Sequence, residues 1–189
     1  MGMQQNENKR FTFQDYLKWD DSKRYEIFSG EPMLLAAPSR KHQGIVSFLM
    51  AEFNFHLRSK KCKVFPSPFA VRFSETDEYN QADTVFEPDI SVICNEGQLD
   101  EYGAKGAPTL VVEVLSPSTS RNDRVRKYNT YQRFGVKEYW IVDPLNETVE
   151  IYTWEDGLFQ RWNAYGREDA VSSKQFDGLT LSGEEMFSY

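Results

Sequence analysis

The sequence predicts an α/β layered domain built on a mixed central sheet, and three observations predict it. Thr109-Leu110-Val111-Val112-Glu113-Val114-Leu115 is a near-continuous apolar run, the pattern of a central strand covered on both faces. Two segments, Ser39 to about Arg58 and about Ser120 to Phe134, carry helical periodicity. From Ser39 onward the order is helix, three strands, helix, strand, and such alternation packs helices on a sheet.

Met1 to Arg10 is polar and reads as a flexible tail (residues 1–10), leaving residues 11–189 as a single domain. Tyr25-Glu26-Ile27-Phe28, Ser29-Gly30-Glu31 and Met33-Leu34-Leu35-Ala36 read as an N-terminal hairpin through a glycine turn. Ser39 caps the first helix, on which His42, Ile45, Leu49, Phe53 and His56 share one face. Lys63 to Phe73 is a strand whose start, at Pro66 and Pro68, is irregular or an edge, because proline donates no ladder hydrogen bond. Val85 to Cys94 is the next strand, and Gly103 to Pro108 turns into the central one. The second helix opens on the capping-box-like Ser120-Arg121-Asn122-Asp123 and stops at Gly135. Glu138 to Val142 is another buried strand, ended by Asp143-Pro144. Val149 to Trp154 and Leu158 to Trp162 form a hairpin around Asp156-Gly157, and a last strand follows.

Composition excludes several classes. At 189 residues the chain buries a core without disulfide staples, and 15% aromatic content argues against disorder. No apolar run approaches the roughly 20 residues of a membrane span, and the N-terminus lacks the apolar stretch of a secretory signal. Cys62 and Cys94 are too few for a disulfide scaffold or a four-ligand zinc site, so they read as two reduced thiols of a cytoplasmic protein. The net charge of −7 speaks against a broad phosphate-gripping surface. Any nucleic-acid contact must therefore be local, and Arg58 to Lys63 and Arg121 to Lys127 are the two basic stretches, each otherwise a solvated face.

Glu113 does not fit a purely structural strand. A buried carboxylate without a partner costs several kcal/mol or more, so Glu113 is neutralised, paired or metal-bound, unless the strand end reaches a wet edge. Asp89 opens Ile90-Ser91-Val92-Ile93 after Pro88, and on neighbouring strands Asp89 and Glu113 can share one face. Two carboxylates about 4 Å apart repel by roughly 4 kcal/mol at an effective dielectric near 20. A hard divalent cation relieves that repulsion, and so does a shared proton. On the second helix Asp123, Lys127, Tyr131 and Phe134 lie within an arc of about 80°. Asn122, Arg126, Asn129 and Arg133 take the solvated side. An inward Lys127 needs an acid partner, either Asp123 one turn earlier or Glu113; the bland alternative is a surface Asp123–Lys127 pair.

One Asp, one Glu and one inward Lys on this frame resemble the PD-(D/E)xK nuclease superfamily, the restriction-endonuclease-like fold. In particular the chain resembles the Uma family of endonucleases (the "Uma-two" family). The resemblance is carried by Tyr25-Glu26, Gly30-Glu31, Pro38-Ser39, His42-Gln43, Pro88-Asp89 and Val112 to Thr119. It continues through Asp123, Lys127, Tyr131, Gly135-Val136, Glu138-Tyr139-Trp140 and Asp143-Pro144. It implies a Mg²⁺- or Mn²⁺-dependent endonuclease acting on DNA, without membrane association, with a homodimer by analogy to superfamily members that cut both strands. Asp89 matches the acid of the PD element and Glu113 that of the (D/E)xK element, both metal ligands, with the Val114 main-chain carbonyl as a third. Leu115 stands where the pattern has Lys; some branches supply that Lys from the following helix, where Lys127 matches. His42, Glu31 and Asp123 become supporting groups around the ligands, and Arg121, Arg124 and Arg126 contacts to the nucleic-acid backbone. Two other readings compete. One is a catalytically inactive nuclease-like frame serving as a binding or assembly module, favoured by the acidic charge and Leu115. The other is a structural protein in which Glu113 merely pairs with Lys127.

Overall fold

The computed structural model describes residues 9–20 and 22–189. The expected tail therefore lies mostly outside the described residues; within it, Arg10 pairs with Asp83 at 2.5 Å. In chain order the elements begin with α1 (Phe13–Tyr16), β1 (Tyr25–Phe28), β2 (Glu31–Leu34), α2 (Arg40–Leu57), β3 (Lys63–Pro66), β4 (Ala70–Phe73), β5 (Thr84–Phe86) and β6 (Ile90–Ile93). They continue with β7 (Leu99–Asp100), β8 (Gly103–Lys105), β9 (Leu110–Val114), a π-helical stretch (Asn122–Lys127) running into α3 (Tyr128–Phe134), and β10 (Glu138–Asp143). β11 (Thr148–Glu155), β12 (Leu158–Gly166), β13 (Ala170–Ser172), β14 (Thr180–Ser182) and α4 (Gly183–Met186) complete the domain.

Two six-stranded sheets replace the single mixed sheet expected. One runs β2-β1-β5-β4-β8-β7 and the other β12-β11-β10-β9-β6-β3, with β13 and β14 as a separate ribbon. Both segments expected as one long strand are divided between the sheets. Lys63 to Phe73 becomes β3 in the second sheet and β4 in the first, and Val85 to Cys94 becomes β5 in the first and β6 in the second. Prolines mark both crossings: Pro66 and Pro68 in one, Pro88 in the other. A proline cannot donate to a ladder and holds its predecessor extended, so pairing stops there and the chain changes partner. The Gly103 to Pro108 turn holds a short strand, β8, parallel to β4. A Cβ at Gly103 would lie 2.1 Å from the Ala70 carbonyl, so only glycine permits that approach.

β9 is the central strand the apolar run predicts. It pairs parallel with β10 and antiparallel with β6, and all five of its residues are buried. Alternate side chains enter two cores. Val112 and Val114 meet Ile45, Leu49 and Phe53 of α2, while Val111 joins Tyr131, Tyr139 and sheet-one residues Phe73 and Phe86. Each fully buried large apolar side chain contributes about 1.5–3 kcal/mol, so the sheet is clamped on both sides. On α2 the buried stripe ends at Leu57, not at His56, which is half-buried against Lys60.

The second helix begins at Ser120 as expected, but its capping bonds lie in the turn before it, not at Ser120-Arg121-Asn122-Asp123. Ser116 Oγ accepts from the Thr119 N–H and Thr119 Oγ1 accepts from the Ser116 N–H, both at 3.3 Å, a reciprocal cap one turn upstream. The helix ends as expected at Gly135, whose φ of 78° an L side chain rarely adopts. Cys62 and Cys94, expected as separate thiols, form a disulfide. The Lys63↔Ile93 register of β3 and β6 makes them the next facing pair at the sheet end, a neighbourhood that a sequence separation of 32 conceals. Among the described residues no helix is long and apolar enough to cross a membrane.

Candidate active site

Asp89 stands at the crossing from the first sheet to the second. Continuing the Ile90↔Val112 register places Asp89 opposite Glu113 and Pro88 opposite Val114. That register has a direct consequence for Val114. Its N–H, which would seek a ladder carbonyl, donates instead to Asp89 Oδ2 at 2.8 Å. Its carbonyl faces a proline, which has no N–H to give. Asp89 Oδ2 also meets His42 Nε2 at 3.2 Å. His42 lies in the first turn of α2, below the Ser39 cap, whose Oγ accepts from the His42 N–H. Burial works to lower the His42 pKa, but the hydrogen bond and charge of Asp89, together with the Val114 backbone, carry it above the ordinary imidazole value. Asp89 Oδ1 has no hydrogen-bond partner among the described residues.

Glu113, which this register sets opposite Asp89, is 3% exposed. Its Oε1 accepts from Tyr131 Oη at 2.6 Å and from Lys127 Nζ at 2.9 Å. Its Oε2 has no such partner among the described residues. Lys127 also reaches Glu26 of β1 at 2.8 Å and lies 3.6 Å from Asp123 Oδ1. The choice of partner for Lys127 is thus resolved as Glu113 and Glu26 at hydrogen-bonding range, with Asp123 beyond it. Asp123 is 2% exposed, and its Oδ1 is a buried acceptor without a hydrogen bond. The π-helical stretch sets this geometry. In its wider turn the Asp123 carbonyl accepts from the Tyr128 N–H and also from the Tyr139 hydroxyl at 3.1 Å, and Asp123 and Lys127 lie in the interior.

The electrostatics follow. Burial pushes the Glu113 pKa well up, aided by the charges of Asp123, Asp89 and Glu26 and opposed by Lys127. Burial raises Asp123 in the same way. Lys127 is held well above its ordinary value: desolvation opposes its charge, but Glu113, Glu26 and Asp123 outweigh it. Four carboxylates (Glu26, Asp89, Glu113, Asp123) converge on one ammonium and one imidazole. In this cluster acids outnumber cations.

Not every expected residue arrives. Glu31 opens β2 opposite Phe28 and is exposed, so it is no supporting group of the site. The acid on Lys127 is Glu26, five residues earlier. Period-two alternation puts Glu26 on the same face as Phe28, and an acid sharing a face with an aromatic was the available signal. Arg124 turns away to Glu150 at 2.6 Å and Asp143 at 3.7 Å. Arg126 lies over the Phe28 ring at 5.1 Å, and Arg121 is exposed. These three form no stripe beside the carboxylates. Tyr131, read only as an inward ring, proves to be a donor to Glu113.

Two mixed sheets joined at the Pro66–Pro68 and Pro88 crossings, with a helix packed between them, define a restriction-endonuclease-like α/β fold. A solved structure supports this: a protein from Anabaena variabilis, titled a "putative nuclease belonging to DUF820", superposes with a TM-score of 0.74. It is 22% identical, covering 94% of this chain and 98% of that one. Residues 13–184 match the Uma2 family, described as "Putative restriction endonuclease", and the chain belongs to that family. Two Synechocystis proteins are also similar. One, slr1290, is 29% identical over 74% of this chain and 72% of its own length. The other, sll1609, is 25% identical over 76% of this chain and 81% of its own.

Proposed function

We propose that this chain is a divalent-metal-dependent endonuclease that hydrolyses phosphodiester bonds in DNA, with Asp89, Glu113 and the Val114 carbonyl as metal ligands. The observation that carries this is one-sided anchoring. Asp89 is fixed through Oδ2 and Glu113 through Oε1, leaving Oδ1 and Oε2 as oxygen donors beside the Val114 carbonyl, which lacks a ladder partner and faces His42, in a cluster where acids outnumber cations. Among the described residues no three His, Cys, Asp or Glu side chains are placed to share an ion. Mg²⁺, however, is commonly held by one or two carboxylates completed by water and substrate phosphate, and the donors here suit it.

When bound, such an ion supplies Lewis-acid stabilisation of phosphoryl charge and lowers the pKa of water. The chain's own groups do the rest. Tyr131 and Lys127 orient Glu113 and favour its ionised form against the burial that raises its pKa. His42 and the Val114 N–H fix the rotamer of Asp89. Lys127, held protonated, places a positive charge beside the developing negative charge of the phosphoryl group.

Cleavage of supercoiled plasmid with Mg²⁺ or Mn²⁺ tests this, alongside calorimetric titration with Mn²⁺. Asp89→Asn and Glu113→Gln are expected to abolish cleavage and weaken Mn²⁺ binding while the circular dichroism spectrum is unchanged. Full activity in either variant refutes the assignment. One observation favours a non-catalytic module instead: Leu115 occupies the strand position of the missing Lys, and Lys127 is already gripped by carboxylates. That reading predicts neither cleavage with any divalent ion nor Mn²⁺ binding.

A further inference from the structure

We propose that Arg24 is the phosphate-gripping residue of this site, its guanidinium holding a non-bridging oxygen of the nucleic-acid backbone at the mouth of the Asp89–Glu113 centre. The proposal rests on reading that centre as hydrolytic. Arg24 Nε donates to Glu87 Oε2 at 2.9 Å. Its Nη2 donates to the same oxygen and to Ser67 Oγ, the latter at 2.5 Å. Nη1 has no partner among the described residues. The side chain is 43% exposed while its anchor Glu87 is 7% exposed, so the fork is fixed from below and open above.

Both anchors lead to Asp89. Glu87 precedes it by two residues, and the Ser67 N–H donates to the Asp89 main-chain carbonyl at 3.1 Å. The Glu87 N–H donates to Glu26 Oε1 at 2.9 Å, and Glu26 grips Lys127. Arg24 continues the alternation of β1, its carbonyl accepting from the Leu35 N–H, so it shares a face with Glu26. That face runs from the buried Glu26 outward to the exposed Arg24. A guanidinium with one edge tied and one edge free is pre-organised for a phosphate oxygen, and little rotamer freedom is lost when it binds. None of the arginines on the second helix has this arrangement: Arg124 is consumed by Glu150 and Asp143, and Arg126 lies on Phe28.

Anisotropy of a fluorescein-labelled phosphorothioate DNA duplex, titrated over a range of KCl without divalent ion, reads the contact without cleavage. Arg24→Gln alone strands the buried Glu87, so the informative variant is the Arg24→Gln/Glu87→Gln pair, which exchanges the ion pair for two amides. It is expected to lose about one unit of the slope of log affinity against log salt. Its kcat/KM for unmodified DNA is expected to fall about 10²-fold with Mn²⁺ affinity unchanged. Arg24→Lys keeps the salt slope but recovers only part of the cleavage, because an ammonium lacks the fork. A double variant with wild-type slope and affinity overturns the assignment, whether or not the wild type cleaves. A lost slope in a chain that cleaves nothing upholds the contact and rejects the hydrolase.

Discussion

Two buried glutamates on adjacent strands meet opposite fates. Glu138 opens β10 and is 0% exposed; Glu113 lies on β9 and is 3% exposed. Both are pushed up in pKa, with burial the largest cause in each. Their partners differ. Glu138 Oε1 accepts from Trp140 Nε1 at 2.6 Å and Ser173 Oγ at 2.8 Å, and its Oε2 from the N–H groups of Lys174 and Gln175 at 2.9 and 2.6 Å. Every donor is neutral and both oxygens are filled, so Glu138 staples the 173–175 loop to the sheet. Glu113 has one oxygen filled, by a tyrosine and a lysine, and carboxylates around it. Burial is common to both acids; an unfilled oxygen amid neighbouring carboxylates is what sets Glu113 apart.

Exchanging each acid for its amide is the strongest way to break this comparison. Glu113→Gln should abolish detectable cleavage, a loss of about 10³-fold or more on the scale of losing a principal charge-stabilising group, with the thermal midpoint nearly unmoved. A variant that instead melts early and cuts normally would make Glu113 a staple too.

Glu138→Gln should do the reverse. The amide NH₂ would face two N–H donors, costing about 1–3 kcal/mol of stability while cleavage persists. Thermal melts sharpen this with pH. Because the folded-state pKa of Glu138 lies above the ordinary glutamate value of 4.5, its protonated form favours the folded chain. That contribution is present below about 4.5 and lost as pH rises through the folded value, so the deficit of Glu138→Gln should narrow between acid and neutral pH. A deficit that widens with pH would contradict the burial argument.

Smaller effects refine the Glu113 side. Tyr131→Phe removes the 2.6 Å donor to Oε1, and about a tenfold loss of Mn²⁺ affinity by calorimetry is expected, the scale of an outer-shell partner. Unchanged affinity would leave Lys127 as the only anchor that matters. Ser116→Ala removes the cap beneath Asp123 and Lys127, and about 1 kcal/mol of stability should go with it, read from urea unfolding.

How much of this was legible differs between the elements and the site. The Asp156-Gly157 hairpin, the Gly135 stop and the buried Glu113 strand follow from short-range pattern, and all three stand in the structure. Asp89, Glu113 and Lys127 were nameable because an acid in a dry strand and a lysine on an apolar helix face are anomalies visible in a few residues. Glu26 was passed over for Glu31 because both flank the same turn, and only the pairing of β1 with β5 decides which acid looks inward. The two sheets were read as one because prolines end pairing without stating where the chain goes next.

The sequence alone determined the order of helices and strands, their turns and caps, and the presence of charge where water is excluded. These depend on neighbours two to four residues apart, whose geometry the backbone dictates. Tertiary structure decided that β5 and β6 part company at Pro88, that Cys62 meets Cys94, that Glu26 joins Glu113 on Lys127, and that Arg24 ties to Glu87 and Ser67. Each of those contacts joins residues distant in the chain, and their register is set by which apolar faces bury one another, a choice no local periodicity records.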